Sequence, residues 1–428
     1  MTVVRRTRPV GRPAAGWPLA AICCYALLVP LQPILTMPDG SPLRFAAADA
    51  VAPLVFLAAV VRPRRRLPAG LFAMALAVPM LALFSTLWSA QERDVSHYAL
   101  GKTAGLFYLA GLALAVGRAL EPGAEPSVLR AIARGAFWSA VVGLVAYGAS
   151  LRGVPSSLVW NGRLCGTMPG DPNIYCSLLA VSFLIVATDR RLRAPLRVAR
   201  LAVLGVALIA TGSRSGLVGL AAGGALYGLA HARDRWVAAA RGLYVLAAAG
   251  AVGMAVLLTT PGANAAHELW EHLWRTWTVE SRLDLYARAR EQFAEHPLLG
   301  LGVGGFNDLN TWQIDGQDVH FPVHDTYLWA FVDLGIGGGL LVAALVASTI
   351  LRCLRAAGRR APPEGAAVVA AGLGTMAVFN LFVDAFYQRH FWVLTACALG
   401  RGAARGRRAV GVPAGRSAQL ALAGSGAR

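Results

Sequence analysis

The chain has 428 residues, of which 56% are hydrophobic and 14% are charged. These proportions lie outside the range of soluble globular proteins and exclude an ordinary soluble enzyme. The net charge of +18 could suit a nucleic-acid-binding protein, but the basic residues alternate with apolar runs along the chain. We therefore expect a polytopic membrane protein that contacts membrane lipids and binds no nucleic acid.

Runs of roughly 17 to 25 apolar residues are typical of membrane-spanning helices. The sequence contains about twelve such runs, near residues 17–36, 45–61, 68–88, 98–117, 130–150, 172–188, 200–212, 215–231, 242–259, 324–350, 366–386 and 390–404. The predicted fold class is an all-α polytopic membrane protein with one large outer loop that contains short helices. The predicted parts are an N-terminal segment 1–16, spans one to nine in 17–259, the polar loop 260–323, spans ten to twelve in 324–404 and a disordered tail 405–428.

Most of the 40 basic residues lie in segments on one side of the predicted spans. This is the positive-inside bias of a bacterial inner-membrane protein, and it predicts that both termini are cytoplasmic and that the 260–323 loop faces the periplasm. The first apolar run has no small-residue cleavage site, so an uncleaved span is favoured over a signal peptide. The six cysteines follow no pattern, and we expect neither a disulfide framework nor a metal site.

Two outer segments of the first nine spans carry candidate residues. One contains Arg163 and the sequence Asp171-Pro172-Asn173, for which a turn and helix cap is the favoured interpretation. The other, Thr211-Gly-Ser-Arg214, joins two apolar runs with no room for a loop. An arginine at membrane depth costs on the order of 2.5 to 3.5 kcal/mol, so it usually has a partner or a function. Arg214 either extends to the outer headgroups or binds an anion, because a guanidinium group matches phosphate geometry.

The polar loop is predicted to contain two helices. In the first, Trp270, Trp274 and Trp277 recur at helical spacing and would lie at the membrane interface. The second is predicted to begin with Ser281 as its N-cap and to end before a His-Pro pair. Arg282 would then lie in the first turn, against the helix dipole, which indicates a ligand.

The loop ends in a glycine-rich turn and a histidine. The turn between Gly300 and Gly305 either lets backbone amides approach an anion or allows tight packing. His324 stands where the next span begins, and an ordinary pKa near 6.5 leaves it able to accept a proton. Asp325 either orients this histidine or caps the helix.

Three charged residues in or beside the predicted spans have more than one interpretation. Asp384 and Arg389, in the turn before the last span, either form an ion pair at the membrane edge or bind a substrate. Lys102 lies inside a predicted span and is expected to snorkel toward the surface.

Taken in order, four groups of residues resemble the O-antigen ligase and polymerase superfamily of membrane glycosyltransferases. The groups are Arg163-Leu-Cys-Gly with Asp171-Pro-Asn173, Thr211-Gly-Ser-Arg214, Ser281-Arg282 followed by His296-Pro-Leu-Leu-Gly300-Leu-Gly302, and His324-Asp-Thr-Tyr-Leu328. The set covers about residues 160 to 335 and is most similar to the ligases. Asp325 stands where the family often has Asn.

The resemblance implies a donor glycan carried on undecaprenyl diphosphate and an acceptor that is the lipid A core or another glycolipid. Arg214 and Arg282 would hold the diphosphate, His324 would act as general base, and the transfer would invert the sugar. The implied substrate-binding residues are Arg163, Asn173, Arg288, Gly302, Tyr327, Asp384 and Arg389. No cofactor or metal ion is expected, and the protein is expected to be a monomer or a weak oligomer.

Two other functions stay open. A polymerase uses the same donor but extends another lipid-linked glycan. One dominant outer loop favours the ligase, because the polymerases commonly have two large outer loops. A transporter or flippase would often show matching halves, and no two halves of this sequence match visibly.

Overall fold

The computed structural model describes residues 16–32, 34–36, 42–44, 46–61, 66–91, 97–168, 170–231, 276–314, 317–358 and 365–400. Its helices are α1 (Trp17–Leu28), α2 (Ala52–Val61, after a 3-10 turn over Ala47–Val51), α3 (Ala69–Ser89), α4 (His97–Ala119), α5 (Glu125–Ser150), α6 (Pro172–Thr188), α7 (Ala194–Ala210), α8 (Arg214–His231), α9 (Thr276–Glu295), α10 (Gly305–Leu309), α11 (Thr326–Ala357), α12 (Ala366–Phe379) and α13 (Arg389–Gly400). The strands form antiparallel pairs, β1 (Ile34–Thr36) with β2 (Pro42–Arg44), β3 (Val159–Trp160) with β4 (Arg163–Leu164), and β5 (Thr311–Ile314) with β6 (Gln317–His320). The predicted ninth span, the residues Trp270 and Trp274, and the predicted tail lie outside the described residues.

Helices long and apolar enough to cross a membrane account for part of the predicted scaffold. Four of the described helices meet this condition, namely Ala69–Ser89, Tyr98–Ala119, Glu125–Ser150 and Thr326–Ala357. Shorter apolar helices are Trp17–Leu28, Ala47–Val61, Pro172–Thr188 and Ala366–Phe379. The predicted all-α class is confirmed in part, because the described residues are mostly helical with four candidate membrane spans but also include three short β hairpins. The number of about twelve spans and the single large outer loop stay predictions. The first helix is shorter than its predicted span because Pro30 follows its end and cannot continue a helix.

An aspartate cap defines the start of α6. The Oδ1 atom of Asp171 accepts hydrogen bonds from the backbone amides of Asn173 and Ile174 at 2.9 and 3.1 Å. Pro172 occupies the first helical position, where a missing N–H is not needed. The turn and cap predicted from Asp-Pro-Asn are therefore confirmed.

Close packing of α8 against α12 fixes the position of Arg214. A Cβ atom at Gly219 would approach the carbonyl oxygen of Thr375 to 2.8 Å, and one at Gly223 would overlap the Thr375 hydroxyl. Small residues at this spacing let two membrane helices pack backbone to backbone. Because α8 begins at Arg214, the turn that precedes this residue is held at one end of the helix pair.

In the polar segment between α8 and α11, α9 packs against α11. The rings of Phe293 and Phe331 meet edge to face, with centroids 5.8 Å apart. Ser281 lies inside α9, so the predicted N-cap at Ser281 is wrong and Arg282 is not in the first turn. The predicted end of this helix is confirmed, because α9 stops at Glu295, just before the His-Pro pair.

The glycine-rich turn after α9 wraps the carboxylate of a buried aspartate. Gly300, Gly302 and Gly304 have left-handed φ angles of 69°, 76° and 80°. The Asp333 side chain is 0% exposed and accepts hydrogen bonds from the amides of Gly304 at 2.7 Å and Phe306 at 3.1 Å. The anion that this turn holds is thus a side chain of α11, and tight packing explains these glycines.

Candidate active site

His324 lies between the β5–β6 hairpin and α11, and its backbone is left-handed with φ 56°. This conformation costs a non-glycine residue roughly 1 to 3 kcal/mol, and such strain concentrates at functional sites. Burial, followed by the positive charge of Arg282, lowers the pKa of His324 from 6.5 to about 4, while the charge of Asp384 acts in the opposite direction. The imidazole is therefore neutral at pH 7 and able to accept a proton.

Asp325 caps the helix that follows the histidine. Its Oδ1 atom accepts hydrogen bonds from the amides of Tyr327 and Leu328 at 2.8 and 2.9 Å. These bonds satisfy two of the free amides at the start of α11. Of the two roles predicted for Asp325, the structure shows the helix cap.

Arg214, Arg282 and His324 come from separate elements and share one electropositive region. Arg214 is exposed at the start of α8, where the free amides and the helix dipole also favour an anion. The charge of Arg282, on α9, acts on both Arg214 and His324. Within the described part of the chain, neither guanidinium group forms an ion pair with an acid. Two guanidinium groups that no described acid neutralises suit a ligand that carries two negative charges.

Arg163 and Asn173 hold the turn that presents Arg214. The Nε atom of Arg163 donates to the carbonyl oxygen of Thr211 at 2.8 Å, and its Nη2 atom donates to Oδ1 of Asn173 at 2.8 Å. Gly212 has φ 61° and packs against the Arg163 side chain. These contacts make Arg163 a positioning residue for the turn, and direct substrate binding by Arg163 and Asn173 stays a prediction.

The charged residues in the turn before α13 do not form the ion pair that the sequence suggested. Asp384 does not pair with Arg389: its Oδ2 atom lies 3.3 Å from Nζ of Lys102. Arg389 instead makes two hydrogen bonds to Asp49, which also accepts one from the Tyr108 hydroxyl at 2.6 Å. The predicted Asp384–Arg389 pair is therefore wrong, and Lys102 is paired rather than snorkelling. Substrate binding by Asp384 and Arg389 stays a prediction.

Three further candidates make contacts within the protein. The hydroxyl of Tyr327 donates to the carbonyl of Ala377 at 3.1 Å. Arg288 pairs with Asp284 at 3.2 Å, and its side chain is 46% exposed. Gly302 packs against Ser89. Substrate binding by Tyr327, Arg288 and Gly302 stays a prediction.

Sequence reasoning missed two residues that organise the site. Asp333 anchors the glycine-rich turn, and Thr326 bonds the backbone on both sides of Asp384. A charged residue inside an apolar run is the signal that could have identified Asp333, since such residues are rare in membrane helices without a role. Thr326 lies inside the group His324-Asp-Thr-Tyr-Leu328, but no role was predicted for it, because threonine is common at helix starts.

One protein-family model matches part of the chain. Residues 199–343 match the model of the O-antigen ligase family. The matched segment contains Arg214, Arg282 and His324 and ends before Asp384. No curated protein matches the sequence. Residues 199–343 are therefore similar to the O-antigen ligase family, and the predicted resemblance of this membrane protein to that superfamily is confirmed.

Proposed function

We propose that the protein is an O-antigen ligase that transfers a polysaccharide from undecaprenyl diphosphate to a sugar hydroxyl of the lipid A core at the periplasmic face of the inner membrane. The observation that carries the proposal is the shared electropositive region of Arg214 and Arg282 beside the neutral imidazole of His324. All three residues lie in the segment that matches the ligase family. The apolar helices support a membrane location, which suits an enzyme whose two substrates are both lipid-linked.

The two arginines bind the donor through its diphosphate. Guanidinium groups form charge-assisted hydrogen bonds with phosphate oxygens and keep their charge at every working pH. As the glycosidic bond breaks, negative charge grows on the leaving diphosphate, so the same contacts strengthen in the transition state. Arg214 and Arg282 thereby supply positive charge that a metal ion supplies in other transferases.

His324 accepts the proton of the attacking hydroxyl. The acceptor oxygen forms a bond to the anomeric carbon as the bond from that carbon to the phosphate oxygen breaks. The electron pair of the broken bond leaves with undecaprenyl diphosphate, and the hydroxyl proton moves to the imidazole, which later releases it to water. A single displacement inverts the anomeric configuration.

Reconstitution of the wild-type protein tests the proposal. Purified protein in detergent receives lipid-linked polysaccharide with and without the lipid A core, and the products are separated by size. We expect core-linked polysaccharide only when the core is present. Growth of the donor chain without the core would contradict the ligase and support the polymerase. Turnover in detergent, where no compartments exist, also separates transfer from transport as the main activity.

The pH dependence of transfer is expected to respond to Arg282. The base must be neutral, so a pKa of about 4 places the acid limb of kcat/KM for the donor near that pH rather than near 6.5. Arg282→Gln removes a positive charge that opposes protonation, so the pKa of His324 rises and the acid limb moves to higher pH, on the order of one pH unit. The measurement is the normalised pH profile of kcat/KM for both proteins.

Arg290→Gln is the matched control for the pH profile. Arg290 is exposed on the same helix, and its removal changes the net charge by the same amount. We expect its acid limb to coincide with that of the wild type. An unshifted limb in Arg282→Gln, or an equal shift in Arg290→Gln, would show that Arg282 does not tune the base.

A further inference from the structure

A second group of polar side chains lies beside the catalytic cluster. The Nζ atom of Lys102 is 3.3 Å from Oδ2 of Asp384, and the two side chains are 19% and 11% exposed. The same ammonium group lies over the rings of Tyr98 and Tyr387, 5.0 and 4.8 Å from their centroids. Lys102 is therefore held by two aromatic faces and one carboxylate, and it fixes the orientation of that carboxylate.

The backbone of Asp384 is tied to the start of α11, next to His324. The Thr326 hydroxyl donates to the carbonyl of Val383 at 3.1 Å and accepts from the amide of Ala385 at 3.1 Å. Both neighbours of Asp384 are thus bonded to one side chain that stands two residues after the histidine. The carboxylate and the base occupy the same wall of the site.

Two oxygen atoms of this group have no partner among the described residues. They are Oδ1 of Asp384 and the hydroxyl oxygen of Tyr387, and both are buried. A buried polar atom without a hydrogen bond is uncommon and costs about 1 to 3 kcal/mol, so it indicates a water or a ligand group that is present in the working protein. Tyr98, whose ring also contacts Lys102, is 46% exposed.

We propose that Asp384 and Tyr387, with the exposed ring of Tyr98, form the subsite for the acceptor sugar that carries the attacking hydroxyl. The proposal rests on the ligase function and names the residues that recognise its acceptor. A sugar hydroxyl donates to Oδ1 of Asp384, and a second hydroxyl bonds the Tyr387 oxygen. The ring of Tyr98 offers an apolar face to the C–H groups of the sugar.

The charges of the site assign this subsite to the acceptor rather than to the donor diphosphate. The Lys102–Asp384 pair carries no net charge that would attract a diphosphate, whereas the region of Arg214 and Arg282 attracts it. The free Oδ1 atom of Asp384 is an acceptor, which suits a sugar hydroxyl that donates rather than a phosphate oxygen that only accepts. The charge of Arg282 lowers the pKa of His324 and the charge of Asp384 raises it. These opposite effects fit a base that lies between an anion site and a hydroxyl site.

Binding of an acceptor fragment tests the subsite without relying on turnover. The full-length protein in detergent is titrated with deacylated lipid A core oligosaccharide, followed by isothermal calorimetry. We expect Asp384→Asn and Tyr387→Phe each to weaken binding about tenfold. The KM for the lipid-linked donor is expected to stay at the wild-type value in both variants. Glu291→Gln is the matched control, because Glu291 is an exposed acid of α9, and it should bind like the wild type.

The outcomes separate this proposal from the ligase function. Unchanged affinity in Tyr387→Phe, which removes a single oxygen atom, overturns the subsite even if Asp384→Asn fails to fold. Absence of binding by the wild-type protein overturns it as well. If the wild type binds the oligosaccharide and Tyr387→Phe binds it about tenfold more weakly, the subsite stands. Failure of the wild type to transfer polysaccharide to an acceptor that it binds would overturn the ligase proposal alone.

Discussion

Replacing His324 with glycine is expected to lower the rate of polysaccharide transfer by about 10²- to 10⁴-fold, the usual contribution of a general base. Glycine is the informative substitution because the backbone at this position is left-handed, with φ 56°, and glycine adopts that conformation without strain. The variant therefore removes the imidazole and preserves the local fold. The measurement is the single-turnover rate with saturating donor and acceptor.

Added imidazole distinguishes a base from a structural histidine. A free imidazole can occupy the space left by the side chain and accept the proton, so we expect transfer by His324→Gly to rise with imidazole concentration. His296→Ala serves as control, because His296 lies at the end of α9 and has no role in the proposed reaction. Near-normal transfer by His324→Gly without imidazole would remove His324 from the mechanism.

Arg214→Ala is expected to reduce the rate constant for transfer by about 10²- to 10³-fold, as when one oriented donor to a developing oxyanion is removed. The effect falls on kcat as well as on the KM for the donor, because the leaving diphosphate gains charge in the transition state. Arg214→Lys keeps the charge but loses the guanidinium fork, so the rate of this variant should lie between those of the wild type and Arg214→Ala. Both constants are measured with purified lipid-linked donor.

The control for Arg214 is a second exposed arginine, Arg290. Arg290→Ala removes an equal charge from α9 and is expected to leave both constants close to those of the wild type. If Arg214 only reached the headgroups, Arg214→Ala would behave like Arg290→Ala. That result would contradict the proposed contact with the diphosphate.

Local features of the chain were predictable because their causes are local. Asp171-Pro-Asn predicted the cap of α6, since the cap bonds connect residues that are two and three positions apart. The end of α9 was also predictable, because Pro297 follows shortly after it and a proline does not continue a helix. The prediction of a cap at Ser281 was wrong because a serine inside a helix and a serine at its start look alike in one sequence.

Ion pairs were not predictable because distant segments supply the partners. Arg389 bonds Asp49 across 340 positions, and Lys102 bonds Asp384 across 282. Proximity in the sequence favoured an Asp384–Arg389 pair, but helix packing decides which charges meet in the membrane domain. The glycine-rich turn is a similar case, since its buried partner, Asp333, lies on the following long helix.

The sequence by itself indicated the membrane class and the resemblance of residues 199–343 to the O-antigen ligase family, and it supplied the candidate base and the candidate arginines. These follow from apolar run length, charge placement and short motifs, which need no tertiary contact. Only the tertiary structure decided that Arg282 acts on both Arg214 and His324, and that Lys102 and Thr326 hold Asp384 on the same wall. The physical reason is that the site joins the ends of several helices, and the packing of those helices sets which side chains share one electrostatic environment.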